Sequence, residues 1–434
     1  MHFTSTRDAG HQAALSVAIR RGIAPDGGLY VPEWLPRQGE GIPGAGLPLP
    51  RIAQALLGPF FAGDPLEPSL RELCEEAFDF PAPLTRVASG PGPAAVLELF
   101  HGPTAAFKDF GARFLAAALE RLKRDAPGRL TLLVATSGDT GGAVAAAFHR
   151  RPWVDVVVLY PKGLVSPRQE KQLTCWGGNV AALAVRGTFD DCQELVMQAF
   201  LSADLRKTHE FSSANSINIG RLLPQIAYYA AASLDVRERD GVAASFIVPA
   251  GNLGNALACI WARRMGMPID RIVLAHNANR AVPDLLASGE WRPRASVPTL
   301  ASAMDVGNPS NLERLLALCP EPTQLRSEIS AASVTDDEIR AQIRLDYARY
   351  GRVWCPHTAT AARVYDRLSA GERSAGVWVL VATAHPAKFN DVVEPLIGAA
   401  VTAPPSLERL LTLPGSSIEI APDLDALAAA LPRP

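Results

Sequence analysis

The chain has 434 residues, about three times the length of a common domain, and therefore has room for two or three domains with buried cores. Its 42 basic and 44 acidic side chains leave a net charge of −2, which excludes a broadly basic surface for nucleic acid. With 48% hydrophobic and 20% charged residues, the composition also excludes a chain that is disordered throughout.

The cysteines and the N-terminus bear on the cellular compartment. The six cysteines form no CxxC pair, and the eight histidines form no cluster of metal ligands, so we expect free thiols and no metal site. The first residues lack the apolar stretch of a secretory signal. Residues 241–262 are uncharged, but Pro249, Asn252 and Asn255 lie near their middle, where a bilayer would not accept them. We expect a cytoplasmic chain that binds no membrane.

Residues 1–92 are interpreted as a separate N-terminal region that wraps on a core. This part of the chain is rich in Pro and Gly, notably at 24–32 and 39–50. A short helix is expected over 11–21.

From Val96 onward, short β-branched runs alternate with loops and alanine-rich amphipathic stretches, which predicts a parallel α/β architecture. Strands that are apolar on both faces suit sheets covered by helices on each side. The expected strands are 130–135, 154–159, 180–185, 245–248, 271–275 and 376–382. The expected helices are 140–149, 189–201, 219–233 and 255–265, with one more beginning at the capping box 335–338.

Two glycine-containing loops each follow an expected strand and open an expected helix. In the loop 250–255, backbone N–H groups and the helix N-terminus can converge on a phosphate, although a structural turn with two capping asparagines is an open alternative. The loop 135–142 can hold a carboxylate or phosphate, or Ser137 or Asp139 can simply cap the helix. We expect both loops at strand ends of one sheet, which predicts an anionic ligand in the crevice there.

A third segment, 101–111, places Lys108 in an apolar, turn-rich stretch. Desolvation there would lower the pKa of the amine and prepare it for bonding to an aldehyde, whereas a lone lysine is ordinarily a solvated surface residue. His101, His357 and His385 also lie in turns, and for each we expect a hydrogen-bonded structural role.

Taken together, these segments resemble the threonine synthase family, pyridoxal-phosphate enzymes of fold type II in the tryptophan synthase β-like superfamily. The matching stretches run in order from 5–7 and 24–32 to 383–389, and the HGPTAAFKDFG segment at 101–111 is the most specific. The resemblance implies two open twisted sheets flanked by helices, with an extra N-terminal region. It implies a catalytic core over 93–400, with a smaller subdomain at about 110–215, and leaves the tail 401–434 unassigned.

The resemblance also implies how the cofactor is held. Lys108 would bond covalently to pyridoxal phosphate and later move protons at Cα and Cβ of the substrate. Asp139 would lie near the ring oxygen O3′, and the hydroxyl of Thr383 would face the ring nitrogen. The cofactor phosphate would lie in the loop formed by Gly251, Asn252, Leu253, Gly254 and Asn255.

For the substrate, the resemblance implies O-phospho-L-homoserine, which water converts to L-threonine and phosphate. Ser137, Gly138 and Thr140 would grip the amino-acid end, mainly through its carboxylate. Asn215, Ser216 and Arg221 would hold the phosphate, for which an Arg fork is well suited. The alternative for Arg221 is a surface residue on an amphipathic helix.

Three features depart from the family pattern and leave fine substrate preference open. Cys355 stands where relatives often carry Asp, Ile219 stands where they carry Trp, and the segment 276–279 is less acidic. Alternative functions are a related dehydratase or phospho-lyase that releases an oxo acid, and a catalytically silent paralogue that still binds the cofactor.

Overall fold

A computed structural model describes residues 1–37, 44–87, 92–123 and 128–433, so residues 39–43 of the expected Pro/Gly-rich stretch lie outside it. Three sheets organise these residues. The strands are β1 Phe3–Ser5, β2 Gln12–Ala13, β3 Tyr30–Pro32, β4 Leu84–Arg86, β5 Ala94–Glu98, β6 Leu130–Ala135, β7 Val154–Pro161, β8 Val180–Val185, β9 Glu210–Ser213, β10 Ala244–Pro249, β11 Ile269–His276, β12 Ser330–Ser333, β13 Val377–Ala382 and β14 Ile418–Ile420.

Helices cover and connect these strands. They are α1 Leu15–Arg21, α2 Leu49–Phe61, α3 Leu70–Ala77, α4 Lys108–Lys123, α5 Asp139–Phe148, α6 Pro167–Thr174, α7 Phe189–Leu201, α8 Leu205–Thr208, α9 Ile219–Leu222, α10 Ile226–Asp240, α11 Gly254–Arg264, α12 Ala281–Ser288, α13 Leu312–Leu318, α14 Pro322–Glu328, α15 Asp336–Tyr350, α16 Pro356–Arg367, α17 Ala370–Ser374, α18 Asn390–Ile397, α19 Pro405–Thr412 and α20 Leu424–Ala430. Short 3₁₀ helices occupy Glu67–Ser69, Leu223–Gln225, Ser302–Met304 and Pro386–Phe389.

The two larger sheets confirm the expected fold class. The six-stranded sheet has the order β12-β11-β10-β13-β5-β4, and only its edge strand β4 is antiparallel to its neighbour. The five-stranded sheet has the order β14-β8-β7-β6-β9 and is parallel throughout. Strands β6, β10 and β13 are buried at every residue, as expected for sheets with helices on both faces. The small third sheet, β2-β1-β3, lies in the N-terminal region.

All six expected strands are present within about two residues of their expected ends. The expected helix 219–233 is wrong as one element, because a 3₁₀ turn with Pro224 separates α9 from α10. The Thr335 capping box is confirmed, since its hydroxyl accepts from the backbone N–H of Glu338. The tail 401–434 carries β14, whose Ile418 pairs with Leu183 at the edge of the five-stranded sheet.

The N-terminal region shares a core with the chain that follows it. Phe61 at the end of α2 meets Phe114 of α4 edge-on, with ring centroids 6.1 Å apart. Both side chains are fully buried, so this contact anchors α4, the helix that Lys108 begins.

The structure also bears on the thiols, on possible metal ligands and on possible membrane spans. All six cysteines are buried and free. Among the described residues, no three His, Cys, Asp or Glu side chains are grouped closely enough to hold a metal ion. None of the described helices has the length and apolar character needed to cross a membrane.

Candidate active site

A deep cleft lies where the carboxyl ends of strands from both larger sheets meet. The loop after β6 belongs to the five-stranded sheet and the loop after β10 to the six-stranded sheet, so the expectation that both loops belong to one sheet is wrong. Repeated strand-loop-helix units do not reveal from sequence which sheet each strand joins. The space between the protein atoms, including the open mouth, is about 960 Å³.

Most of the residues singled out from the sequence line this cleft. They are Lys108, Ser137, Asp139, Thr140, Asn215, Ser216, Arg221, Gly251, Asn252, Leu253, Gly254, Asn255 and Thr383. Gly138 is absent from the lining. The cleft also receives His357, which was expected to be structural.

Lys108 is the first residue of α4, so the stretch around it is less irregular than the sequence indicates. Hydrogen bonds of its two chain neighbours fix the position of Lys108. Asp109 accepts hydrogen bonds from the backbone N–H and the hydroxyl of Thr104, at 2.9 and 2.6 Å. The N–H of Phe107 donates to the carbonyl of Thr383 at 2.9 Å, which ties the segment to the end of β13. These hydrogen bonds place the Lys108 amine at the cleft, and the amine itself takes part in none of them.

Burial lowers the pKa of Lys108 to about 8. The negative charge of Asp139 raises this pKa, whereas the positive charges of Arg221 and Lys388 lower it further. The amine therefore exchanges its proton near neutral pH, as the sequence predicted from its apolar surroundings.

An ion pair that was not predicted lies beside Lys108. Lys388, in the 3₁₀ helix after β13, is fully buried, and its Nζ lies 2.8 Å from Asp139 Oδ1. The same Nζ donates to the carbonyl of Thr104 at 2.8 Å, and Gln169 Nε2 donates to Asp139 Oδ1 at 3.0 Å. Burial alone would raise the pKa of Asp139, but Lys388, Lys108 and His357 outweigh it and hold that pKa well below its usual range.

The loop after β6 is shaped by Thr136. Its Oγ1 accepts from the N–H groups of Gly138 and Gly141, both at 2.9 Å, and the alternative in which Ser137 or Asp139 caps the helix is wrong. Gly138 has a φ of 136°, and a Cβ there would lie 2.5 Å from Gln169 Nε2. Gly138 thus shapes the loop, while the Ser137 hydroxyl is not spent on capping.

The loop after β10 begins α11 at Gly254, with Leu253 in the left-handed region at a φ of 64°. Its asparagines do not cap the helix, contrary to the structural alternative. Asn252 Oδ1 accepts from the N–H of Ser310 at 2.6 Å. Asn255 Oδ1 accepts from two buried tyrosine hydroxyls, at 2.6 and 2.9 Å. The first N–H groups of α11 are left without carbonyls of their own helix, as at any helix start.

Arg221 is 2% exposed, so the alternative of a surface residue is wrong. Its Nη1 donates to the carbonyl of Ala214, while its Nε has no hydrogen-bond partner among the described residues. Burial lowers its pKa to about 10, which still leaves the guanidinium charged at neutral pH. A buried cation with a free donor is suited to an anionic ligand.

The two polar residues before Arg221 join neighbouring loops. Asn215 Nδ2 donates to the carbonyl of Ala135 at 2.9 Å, which ties it to the end of β6. Ser216 Oγ accepts from Asn252 Nδ2 at 2.7 Å and from Asn311 Nδ2 at 3.3 Å. The anion-binding candidates are therefore one connected network.

Arg314 of α13, another residue not predicted, supports this network from behind. It is 1% exposed, and its Nε donates to the carbonyl of Tyr30 at 3.0 Å. Its two terminal nitrogens donate to the carbonyls of Ser216 and Ile217, at 3.3 and 2.6 Å. Through Arg314, the N-terminal region reaches the wall of the cleft.

Sequence models of three families match the chain. The family described as pyridoxal-phosphate dependent enzyme matches residues 82–384. The threonine synthase N terminus matches residues 2–78, and the threonine synthase C-terminal family matches residues 358–431, which includes most of the tail that the sequence motifs left unassigned.

A curated threonine synthase from Haemophilus influenzae is 42% identical over 439 residues, which cover 99% of both chains. The chain belongs to the threonine synthase family. Its structure superposes on that of the Escherichia coli threonine synthase with a TM-score of 0.89 at 38% identity, covering 99% of each chain. The pyridoxal-phosphate-bound threonine synthase from Brucella melitensis gives a TM-score of 0.88 at 34% identity, covering 99% of this chain and 98% of that one.

The cleft fits the cofactor of the threonine synthase family. Lys108 offers an amine, and the loop after β10 offers helix N-terminal amides for a phosphate. A Cβ on Gly254 would lie 3.6 Å from both Asn311 Nδ2 and Ser216 Cβ, which is ordinary van der Waals contact, so the loop packs closely against its neighbours at the cleft. Asn255 Nδ2 is buried without a hydrogen-bond partner among the described residues. An anion in this loop would therefore meet free donors.

Two of the three departures from the threonine synthase pattern have a structural role. Cys355 caps α16, since its Sγ accepts from the N–H of Thr358 at 3.4 Å. Asn277 and Asn279 donate to Asp305 Oδ1 at 2.7 and 3.2 Å, which fixes the loop that brings Met304 to the cleft. Ile219 is fully buried at the start of α9.

His101 and His385 have the hydrogen-bonded structural roles expected of them. His101 Nε2 lies 2.8 Å from Glu98 Oε2, and His385 Nδ1 accepts from the N–H of Ala387 at 3.2 Å. Neither lines the cleft.

We expect trace acetylation of Lys108 in the cofactor-free chain to rise with pH and to reach half its maximal rate near pH 8, because only the neutral amine reacts. The measurement is mass spectrometry of the Lys108 peptide after brief treatment with acetic anhydride. A free amine of known pKa, added to each reaction, corrects for decay of the reagent. A rate that shows no plateau up to pH 10 would contradict the burial argument.

We expect Gly251→Ala to weaken retention of pyridoxal phosphate and to lower stability by about 1–3 kcal/mol, because the new Cβ would lie 2.7 Å from the Met304 Cα. The measurements are urea unfolding and cofactor content after dialysis. Gly371→Ala, where a Cβ would have no atom within 4 Å, is the matched control. Equal cofactor retention in the two variants would show that the contact with Met304 is unimportant.

Proposed function

We propose that this chain converts O-phospho-L-homoserine and water to L-threonine and inorganic phosphate. The observation that carries the proposal is that one cleft holds both the Lys108 amine and the buried Arg221 guanidinium with its free Nε. The first suits bonding to an aldehyde cofactor and the second suits a phosphate on the substrate. Membership of the threonine synthase family supports the same reaction.

The cofactor would be held by residues from both larger sheets. Lys108 would bond to it, the loop 251–255 would hold its phosphate, and Thr383 and Asp139 would contact its ring. When bound, pyridoxal phosphate supplies an electron sink that stabilises negative charge on the substrate carbons. A neutral hydroxyl at Thr383 moderates that sink because it does not force a proton onto the ring nitrogen.

Lys108 is suited to move protons during the reaction. With a pKa of about 8, the amine is a stronger proton acceptor than a carboxylate and still gives its proton back near neutral pH. We assign it the removal of the Cα and Cβ protons that precedes loss of phosphate. We also assign it the return of two protons, one at Cγ, which becomes the methyl carbon of threonine, before water adds at Cβ, and one at Cα afterwards. The proton that water releases leaves with the phosphate. Its fixed position at the start of α4 keeps one face of the substrate within its reach.

The two anionic ends of the substrate would bind at separate loops. Ser137 and Thr140, at the start of α5, would take the carboxylate, since neither is used as a helix cap. Arg221, with Asn215 and Ser216, would take the phosphate. This division fixes which end of the substrate lies over Lys108, and it selects a phosphorylated substrate over its free alcohol.

Product analysis tests the proposal. The holoenzyme is supplied with O-phospho-L-homoserine as sole substrate, and phosphate and threonine are measured in the same sample. We expect equal amounts of both and no ammonia. Ammonia with an oxo acid would establish a dehydratase or phospho-lyase instead, and the absence of any turnover by the loaded chain would favour a silent paralogue.

Arg221→Lys tests the assignment of the phosphate. It keeps the charge but loses the fork, so we expect KM for O-phospho-L-homoserine to rise at least about tenfold with a smaller change in kcat. Inorganic phosphate should become a weaker competitive inhibitor by a similar factor. A KM equal to that of the wild type would contradict the assignment.

A cytoplasmic location stays a prediction from the free thiols.

A further inference from the structure

His357 has two ring nitrogens in very different situations. It lies in the first turn of α16, is 3% exposed, and packs against Phe389 with ring centroids 4.8 Å apart. Its Nε2 lies 3.1 Å from the backbone N–H of Ala303. Its Nδ1 is buried and has no hydrogen-bond partner among the described residues.

The contact with Ala303 determines which nitrogen of His357 carries the proton. A backbone N–H can only donate, so Nε2 must present its lone pair. Burial lowers the pKa of His357 to about 4. The charges of Lys108 and Lys388 also lower this pKa, whereas the charge of Asp139 raises it. The ring is therefore neutral at physiological pH. A neutral imidazole has a single N–H, which must therefore be on Nδ1. The ring is a donor of fixed orientation without an acceptor.

The ring that carries this free donor lines the cleft. His357 lines the same cleft as Lys108, Asp139 and Thr383, and the charges of Asp139 and Lys108 act on its ring. A buried donor that stays unpaired costs free energy, so buried polar groups are nearly always bonded. The missing acceptor is expected from whatever occupies the cleft.

We propose that His357 Nδ1–H is a hydrogen-bond donor held in place for an anionic oxygen of the bound cofactor or substrate. The proposal rests on the proposed function, because both sources of the oxygen are ligands of that reaction. Because the ring is neutral, it orients such an oxygen without adding a further positive charge beside Lys108 and Lys388. The competing explanation is purely structural, in which only the bond from Ala303 to Nε2 matters.

Two substitutions separate the nitrogens. The amide of asparagine lies at about the position of Nδ1, so His357→Asn retains a donor there and loses the acceptor for Ala303. The amide of glutamine lies at about the position of Nε2, so His357→Gln retains that acceptor and loses the donor. Both remove the ring from Phe389, which makes each the packing control for the other.

We expect His357→Gln to lower kcat/KM for O-phospho-L-homoserine by about tenfold to a hundredfold relative to His357→Asn, the size expected for a hydrogen bond to a charged group. The dissociation constant of pyridoxal phosphate, measured by equilibrium dialysis, distinguishes the sources. A weaker constant in His357→Gln alone identifies a cofactor oxygen, whereas an unchanged constant with a raised KM identifies a substrate oxygen. If His357→Asn is the impaired variant and His357→Gln matches the wild type, the proposal is overturned.

A measurement on the wild-type holoenzyme is independent of turnover and of how the variants fold. Nitrogen-15 NMR of histidine-labelled protein reports which ring nitrogen of each histidine is protonated, and loss of one signal set in His357→Asn or His357→Gln assigns it. We expect His357 to be neutral with its proton on Nδ1. A proton on Nε2 would overturn the proposal while leaving the proposed function intact, whereas failure of the product analysis would leave this result standing.

Discussion

Lys108→Ala is expected to lower turnover by at least about 10⁴-fold, because it removes both the amine that bonds the cofactor and the group that moves protons. The chain should still fold, since the bonds that hold the surrounding segment involve Thr104, Asp109 and Thr383, and not the Lys108 side chain. Steady-state release of phosphate from O-phospho-L-homoserine measures the loss.

Borohydride reduction separates a failure of chemistry from a failure of binding. After incubation with pyridoxal phosphate and reduction, the wild-type chain should carry one pyridoxyl group on the Lys108 peptide, and the variant should carry none there. Lys207→Ala, on the exposed surface, is the control and should match the wild type in both assays. Turnover above a tenth of the wild-type value in Lys108→Ala would remove Lys108 from the mechanism.

Lys388→Met is expected to destabilise the fold by about 3 kcal/mol at pH 7, because it leaves Asp139 buried without its closest counter-ion. Lys108 remains near Asp139 and compensates for part of the loss. The control is Lys123→Met, which also removes a buried lysine. Glu210, an ion-pair partner of Lys123, is 36% exposed and stays paired with Arg20, so a smaller effect is expected there. Urea unfolding at pH 7 measures both.

The pH dependence of the Lys388→Met defect has a definite sign. In the wild type, the lowered pKa of Asp139 stabilises the fold above the pKa of an unfolded aspartate, and this contribution is lost as the pH falls through the folded value. Without Lys388, burial dominates and favours the protonated acid. The difference in free energy of unfolding between the wild type and Lys388→Met should therefore shrink as the pH falls from 7 to 4. Adding Asp139→Asn to Lys388→Met should recover part of the lost stability at pH 7. A difference that is constant over this range would contradict the ion-pair explanation.

Local patterns were sufficient for much of the fold. The apolar runs of β6 and β8 and the amphipathic stretch of α7 were predicted with their observed ends. The short β9 and the tail strand β14 were missed, since three or four residues at a sheet edge carry little periodicity. The assignment of the two anion loops to different sheets depends on strand pairing between distant segments, which no single motif encodes.

For the site, the sequence identified most of the groups that line the cleft, but it did not predict that His357 and Thr136 line it, and it missed the residues that support the lining. Lys108 and Arg221 are in motifs specific enough to stand out, although their roles in the reaction stay predictions. Lys388, Thr136 and Arg314 act through contacts that form only after folding. The partners of Arg314 include Tyr30, which is 284 residues away in the chain. The free nitrogen of His357 likewise depends on its bond to Ala303 in a distant loop.

The partners of Arg314 have an evolutionary consequence. Three of its hydrogen bonds end on the main-chain carbonyls of Tyr30, Ser216 and Ile217, which every amino acid provides. Substitution of the side chains at these three positions would leave the hydrogen bonds intact. These bonds therefore give no reason to expect covariation between Arg314 and those positions. The N-terminal region would stay coupled to the cleft through bonds that an analysis of paired substitutions would not detect.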